Sequence, residues 1–304
     1  MKRRYVTADV FTRTTFKGNP VAVVLDAQGL STAQMQSIAR EFAYSETTFV
    51  LPPRDSAHTA WVRIFTASRE IPFAGHPNIG TAFVLARAAA ADAAPLPDAL
   101  YFEELAGLVP VRQLREEGTV VGAELIAPEP LSLASEVAPE RVAACLSLSA
   151  DDIRTDAHQP RVVSVGLPFL VVELHSRAAL ARCLPDRVGF RDVLPLDGAV
   201  SVYAYTRAVP SAGVESATDI QSRMFTPHMT EDPATGSATA ALVAFLAHLG
   251  DLPRLSVIVG QGSDMGREST LFVTAETIDG KRAVRIGGHC VPVMEGTFDL
   301  EGDG

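Results

Sequence analysis

The chain repeats itself at about half its length. Arg63-Ile64-Phe65-Thr66 is matched by Arg223-Met224-Phe225-Thr226, and Pro77-Asn78-Ile79-Gly80-Thr81-Ala82 by Pro233-Ala234-Thr235-Gly236-Ser237-Ala238. The offsets are 160 and 156 residues in a chain of 304. Chance can produce either match alone. Both together, in the same order and each ahead of a strongly apolar helix, indicate duplication. A duplicated chain of this length folds as two homologous domains, each with its own core. In this alignment His76 stands opposite Asp232, and each is placed immediately before the start of its helix.

The two helices are expected over residues 78–91 and 236–249. Both are apolar almost all round, which implies burial on every side. Runs that read as strands surround them: 5–11, 21–25, 47–51, 61–66, 108–114 and 119–127 in the first half, and 161–174, 202–206, 220–226, 256–260, 271–275 and 283–294 in the second. Ser31 and Gln34 form a capping box ahead of a third helix, whose Met35, Ile38, Ala39 and Phe42 share one face. The expected class is therefore α+β, with two pseudo-symmetric domains, each a curved, mostly antiparallel sheet wrapped around a central helix. Pro128-Glu129-Pro130 is the expected linker. It divides an N-terminal half, 1–128, carrying Glu46 and His76, from a C-terminal half, 129–304, carrying Asp232 and Ser237. The last strand is free to return to the first domain.

Composition excludes several partners. The net charge is -10 and there is no basic stripe, so nucleic acid is not expected. No apolar run is long enough to span a membrane. Cys145, Cys183 and Cys290 are few, odd in number and widely spaced, which suits a reducing cytoplasm rather than a disulfide framework. No phosphate-binding loop, dinucleotide fingerprint or zinc-protease motif occurs. His228, Glu231 and Asp232 cluster, but at a spacing that is a weak metal signal.

The beginnings of the two central helices carry the chemistry. A helix start offers unpaired N–H groups and a positive dipole end, a natural seat for an anion. The small residues there, Gly75, Gly80, Gly236, Ser237 and Ala238 among them, let a ligand approach the backbone. Close helix packing would use the same small residues. Glu46 sits where the third helix hands over to a strand, and could equally be a solvated loop carboxylate. Asn19 lies in the turn Lys17-Gly18-Asn19-Pro20, which it could simply shape.

Taken together, Gly18-Asn19-Pro20, Ser45-Glu46-Thr47-Thr48-Phe49, Gly75-His76-Pro77, Glu231-Asp232-Pro233-Ala234-Thr235-Gly236-Ser237 and Gln261-Gly262 with Met265-Gly266-Arg267 resemble the PhzF-like family of phenazine biosynthesis. The resemblance implies the diaminopimelate-epimerase fold, with an active site between two pseudo-equivalent domains. It implies acid–base isomerisation of a small carboxylate substrate with no cofactor, such as a dihydro-hydroxyanthranilate, and a homodimer. By matching positions it makes Glu46 the proton-transfer residue, with His76, Asp232 and Ser237 lining the site; the catalytic set expected is Glu46, His76 and Asp232, with Asn19, Gly75, Gly236 and Ser237 as substrate contacts. The fold's racemases place a cysteine before each central helix. No cysteine stands there in this chain, which disfavours two-thiol racemisation. Glu268 also departs from the proline that the family commonly carries at that place.

Isomerisation removes a proton from one carbon and delivers one to another, and a single carboxyl group reaching both can do each in turn. Two other readings remain open from sequence. One is an epimerase or dehydratase of a small amino or hydroxy acid using the same carboxyl base. The other is a binding protein without turnover.

Overall fold

The computed structural model describes residues 2–94, 96–209, 217–278 and 280–300. The chain divides into two compact units: Met1–Leu125 with Gly287–Gly304, and Ile126–Ile286.

In the first unit the elements are β1 (Lys2–Val10), β2 (Asn19–Val24), α1 (Thr32–Phe42), β3 (Glu46–Leu51), β4 (Ala60–Phe65), β5 (Glu70–Ile71), α2 (Gly75–Ala91), β6 (Ala99–Glu104), β7 (Gly107–Glu116) and β8 (Thr119–Ile126). The second unit adds β9 (Ser132–Glu136), α3 (Pro139–Cys145), β10 (Ile153–Arg154), β11 (Arg161–Ser164), β12 (Pro168–Leu174), α4 (Arg177–Arg182), α5 (Arg187–Val193), β13 (Val202–Thr206), β14 (Ile220–Phe225), β15 (Glu231–Asp232), α6 (Gly236–Leu249), β16 (Arg254–Gln261) and β17 (Ser269–Ile278). The long β18 (Lys281–Asp299) begins in the second unit and ends in the first.

The sheet of the first unit runs β18–β1–β2–β3–β4–β6–β7–β8, and β8 pairs with β18 again, so the sheet closes on itself. All neighbours are antiparallel except β2–β3 and β4–β6. The second unit runs β9–β11–β12–β13–β14–β16–β17 and is parallel at the equivalent pairs, β12–β13 and β14–β16. Parallel neighbours need a crossover. The helix α1 supplies one in the first unit, and α4 with α5 supplies its counterpart in the second.

Each sheet is apolar on both faces because each has a helix on either side. α2 packs on β1, β2, β3 and β7, and is buried from His76 to Val84. α6 packs on β11, β12, β16 and β17, and buries ten of its residues. Outside the first sheet, Met35, Ile38 and Ala39 of α1 join Val24, Phe49 and Phe65 in a second apolar layer. The short helices α3–α5 do the same work in the other unit, covering Leu170, Val172, Val202 and Phe225. The expected α+β class with a central helix in each half is what the structure shows.

Several sequence expectations shift. The capping box of Ser31 and Gln34 forms, with both reciprocal hydrogen bonds present. The run 161–174 is not one strand but a hairpin, β11–β12, bent at Gly166, whose φ is 134°. β6 and the short helices α3–α5 were not expected from pattern. Helices of six or seven residues carry too few turns to show a period. No helix among the described residues is long and apolar enough to cross a membrane.

Candidate active site

Four of the expected site residues gather in the first unit. Gly18 holds φ 67°, and a Cβ there would lie 2.3 Å from the Val10 carbonyl oxygen, so only glycine makes this turn. The turn delivers Asn19 and Pro20 to the start of β2, with Asn19 fully buried. α1 ends at Ala43 in a left-handed conformation, and the chain re-enters the sheet at Glu46, the first residue of β3. Val21 is its parallel partner. Gly75 and His76 are the first two residues of α2.

His76 is 7% exposed. Burial pushes its imidazole down to about 3, so the ring is neutral across the physiological range. The ring is hydrogen-bonded to the backbone of Pro20. A proline offers only a carbonyl, so His76 must be the donor. Nε2 has no hydrogen-bond partner, which puts that proton on Nδ1. Nε2 is then an acceptor, and it faces Glu46 Oε2 at 3.5 Å. That is longer than a hydrogen bond, as contacts in unliganded sites often are. The Glu46 side chain is 17% exposed. A half-enclosed carboxyl beside a neutral imidazole acceptor is suited to holding a proton and giving it up.

The helix start itself is open. Ala74 occupies the N-cap position and provides no side-chain cap, and the first turn holds no acidic residue. A Cβ at Gly75 would meet nothing within 4 Å, so glycine here is not demanded by packing. With no side-chain cap, the Gly75 and His76 N–H groups stand at a helix start suited to an anion.

The second unit gathers Asp232, Gly236 and Ser237. Gly236 and Ser237 begin α6, and Asp232 closes the two-residue strand β15. Thr235 stands at the N-cap, where a threonine usually caps its own helix. Here it does not. Its hydroxyl donates instead to Asp232 Oδ2 at 2.5 Å. Gln261 anchors the arrangement. Its amide nitrogen donates to the Asp232 carbonyl at 2.8 Å and to Thr235 Oγ1 at 3.1 Å, and its oxygen accepts from the Thr235 N–H at 3.1 Å. The Asp232 carboxylate is thereby held, and the α6 start is left uncapped like that of α2. Thr235 and Gln261 were not singled out from sequence as site residues, although both lie within quoted motifs.

The strand registers correct the alignment of the two halves. Phe65 pairs with Glu70 as Phe225 pairs with Glu231, and Ile64 with Ile71 as Met224 with Asp232. Arg63 forks onto Glu70, and Arg223 onto Glu231. The offset is therefore 160 residues at the strands and 161 from β5 onward, through one extra residue in the turn after Thr226. His76 is equivalent to Ser237, and Asp232 to Ile71. His76 lies inside its helix, and Asp232 lies three residues ahead of the N-cap of its own. The Pro77 and Pro233 texts are similar but not equivalent.

The three thiols are unsuited to proton abstraction. All are buried and free. Burial pushes Cys145 and Cys183 up to about 12 and raises Cys290 as well. Among the described residues no cluster of three or more histidine, cysteine or acidic side chains could hold a metal ion.

The fold is the α+β, diaminopimelate-epimerase-like one, and the family model and curated relatives make the chain an isomerase. The chain belongs to the phenazine biosynthesis-like (PhzC-PhzF) family, whose model matches residues 8–296. It is 38% identical to an uncharacterised isomerase of Mesorhizobium japonicum, over 97% of this chain and 98% of that one. It is 37% identical to the trans-2,3-dihydro-3-hydroxyanthranilate isomerase of Pseudomonas chlororaphis, over 97% of this chain and 99% of the relative. The Bacillus anthracis phenazine biosynthesis protein of the PhzF family has the same fold, with a TM-score of 0.86 at 22% identity, covering 99% of this chain and all of that one.

Proposed function

We propose that the enzyme isomerises a small carboxylate-bearing substrate by acid–base proton transfer without a cofactor, with Glu46 carrying the proton. The observation that carries this reading is the Glu46–His76 pair, a carboxyl oxygen 3.5 Å from a neutral, buried imidazole acceptor. Glu46 as carboxylate takes a proton from one substrate carbon. The resulting acid is complemented by His76 Nε2, and it returns a proton to a second carbon. The electron pair moves along the substrate and the double bond shifts. The open start of α2, with its Gly75 N–H, is proposed to receive the substrate carboxylate, and Asn19 to shape the same wall. Gly236, Ser237 and Asp232 are proposed as further substrate contacts, Ser237 by its hydroxyl and Asp232 by accepting from an amine or hydroxyl. The relatives named as dihydro-hydroxyanthranilate isomerases support this substrate class.

The test is carbon-bound deuterium uptake in deuterated water. A panel of cyclic and linear amino and hydroxy acids, including dihydro-hydroxyanthranilate, is incubated with the enzyme and followed by NMR. Deuterium at carbon or a displaced double bond, lost in Glu46→Gln, is the expected result. Exchange that persists in Glu46→Gln removes Glu46 from the mechanism, and binding without exchange across the panel removes the catalytic reading.

A further inference from the structure

The registers place a second, unexpected carboxyl group in correspondence with Gln261. β4 and β6 pair Ala60 with Phe102 and Trp61 with Glu103. β14 and β16 pair Ile220 with Val259, Gln221 with Gly260 and Ser222 with Gln261. Carried one residue on, Glu104 occupies in the first unit the place that Gln261 occupies in the second. The Gln261 amide, donor and acceptor at once, ties down the segment entering α6. Glu104 stands at the same place beside the start of α2. The turn after it is pinned to the segment entering that helix, through the Ala106 N–H on the Pro72 carbonyl at 3.2 Å.

An ionised Glu104 would fit this place badly. Both its carboxyl oxygens are shielded from solvent with no hydrogen-bond partner, and the fully buried Asn78 Oδ1 is in the same condition. The Asn78 amide lies beside the carboxyl, short of full hydrogen-bond geometry, and Asn78 Nδ2 donates to the Ala74 carbonyl at 3.1 Å. The corner thus holds several buried acceptors and too few donors. Leaving buried acceptors unpaired is costly. One proton on Glu104 supplies the missing donor, and a protonated carboxyl has the same donor–acceptor pattern as an amide.

We propose that Glu104 is a positioning residue, carried as a neutral acid, that latches the first turn of α2 through Asn78 and so presents His76, as the Gln261 amide latches the segment holding Asp232. Burial pushes its carboxyl up to about 8, outweighing the Asn78 side chain, which acts to lower it. The groups facing it are few. α2 offers the Asn78 amide, β7 brings Gly107 opposite, and the register sets the apolar Val62 of β4 alongside. Its neighbour Glu103 is bound elsewhere, accepting from the Arg54 and Asp55 N–H groups and contacting His58. Among the described residues no charged side chain acts on Glu104. Above about pH 8 the latch ionises and loses its donor.

The link to catalysis rests on the role proposed for His76; the latch itself does not, and its test needs no substrate. Infrared spectra of the intact protein are expected to show a protonated carboxyl at neutral pH that disappears near pH 8 and is absent from Glu104→Gln. The His76 imidazole NMR signals should shift with the same midpoint in the parent and not in Glu104→Gln, since His76 is itself neutral there. The folded carboxyl value is raised above its ordinary 4.5, so the stabilising contribution is complete below about pH 4.5 and is lost as pH rises toward 8. The folded-to-unfolded ratio should fall about tenfold per pH unit across that window, and this slope should vanish in Glu104→Gln. A parent protein without the neutral-pH carboxyl band overturns the proposal. So does a His76 shift that survives Glu104→Gln.

Discussion

The two units share a strand order and a rigid framework but divide the chemistry unequally. Both fork an arginine onto a glutamate in the two-residue strand before the central helix, Arg63 onto Glu70 of β5 and Arg223 onto Glu231 of β15. Both turn into the second strand through a glycine with positive φ and a proline two residues on, Gly18 with Pro20 and Gly166 with Pro168. At equivalent positions the side chains then differ. Glu46 in the first unit corresponds to Ser201, since Thr47 and Val202 pair with Phe65 and Phe225. His76 corresponds to Ser237, and Ala74 to Thr235. The carboxylate–imidazole pair, Glu46 with His76, belongs to the first unit. At the corresponding places the second holds hydroxyls, and its one site carboxylate, Asp232, accepts from the Thr235 hydroxyl. Duplication supplied two copies of one scaffold, and the paired carboxyl and imidazole fell to one of them.

The largest effect expected from breaking this asymmetry is at Glu46. Glu46→Gln should lower turnover by about 10³-fold with a melting temperature near that of the parent. Ser201→Ala, at the equivalent position, should change turnover by less than about threefold. Equal effects from the two variants would abolish the division of labour. Both are read by the exchange assay and by thermal denaturation.

The next largest is a stability effect that tests the shared framework. Arg223 also donates to the Leu180, Ala181 and Cys183 carbonyls, closing the end of α4. Arg223→Met strands Glu231 and those carbonyls, and should cost about 3–5 kcal/mol in urea denaturation. Arg63→Met lacks the carbonyl contacts and should cost about 1–3 kcal/mol. The order of the two costs is the point under test.

His76 should make the first unit acid-sensitive. Its folded value, about 3, lies below the ordinary 6.5, so the unfolded chain binds the extra proton between them. Stability is therefore complete above pH 6.5 and declines as pH falls, by up to about 1.4 kcal/mol per unit. His76→Asn should flatten that decline in pH-dependent melting curves. The equivalent Ser237→Asn should leave it in place.

The smallest expected effect concerns how Asp232 is held. Thr235→Val removes the hydroxyl donor and should weaken kcat/KM about tenfold, as loss of one hydrogen bond to a charged group does. Thr235→Ser should restore it. Loss of stability in Thr235→Val without loss of kcat/KM would make the hydroxyl a structural feature only.

Much of this molecule is legible in the chain because it depends on local signals. The capping box at Ser31, the all-round apolar helices and the Arg-x-Phe-Thr repeat each act over one or two turns of chain. The α6 bounds match the sequence expectation at both ends, 236 and 249. The α2 start did not, because Ala74 provides no cap and the helix reaches back to Gly75. The same position leaves the helix start without a side-chain cap. The equivalence of His76 with Asp232 was read from similar Pro-x-x-Gly text. One residue of turn length and a five-residue displacement of that text misled it, and only the ladder pairings could reveal the shift.

The sequence by itself determined the duplicated α+β architecture, the two buried helices and the family, since these follow from periodicity, composition and ordered motifs. It also singled out His76 and Asp232 as polar residues beside helix starts, and Glu46 at the junction of a helix and a strand. Tertiary structure decided their states and partners. Glu103 and Glu104 are adjacent and chemically identical in the chain, yet backbone N–H groups hold the first well down, at about 2, and burial pushes the second up to about 8. Burial keeps His76 neutral, and the carbonyl of Pro20, 56 positions away, fixes which ring nitrogen is left as acceptor. The Thr235 hydroxyl turned from its helix to Asp232 through Gln261, 26 residues further on. Protonation and hydrogen-bond direction depend on desolvation and on partners distant in sequence, and those exist only once the chain has folded.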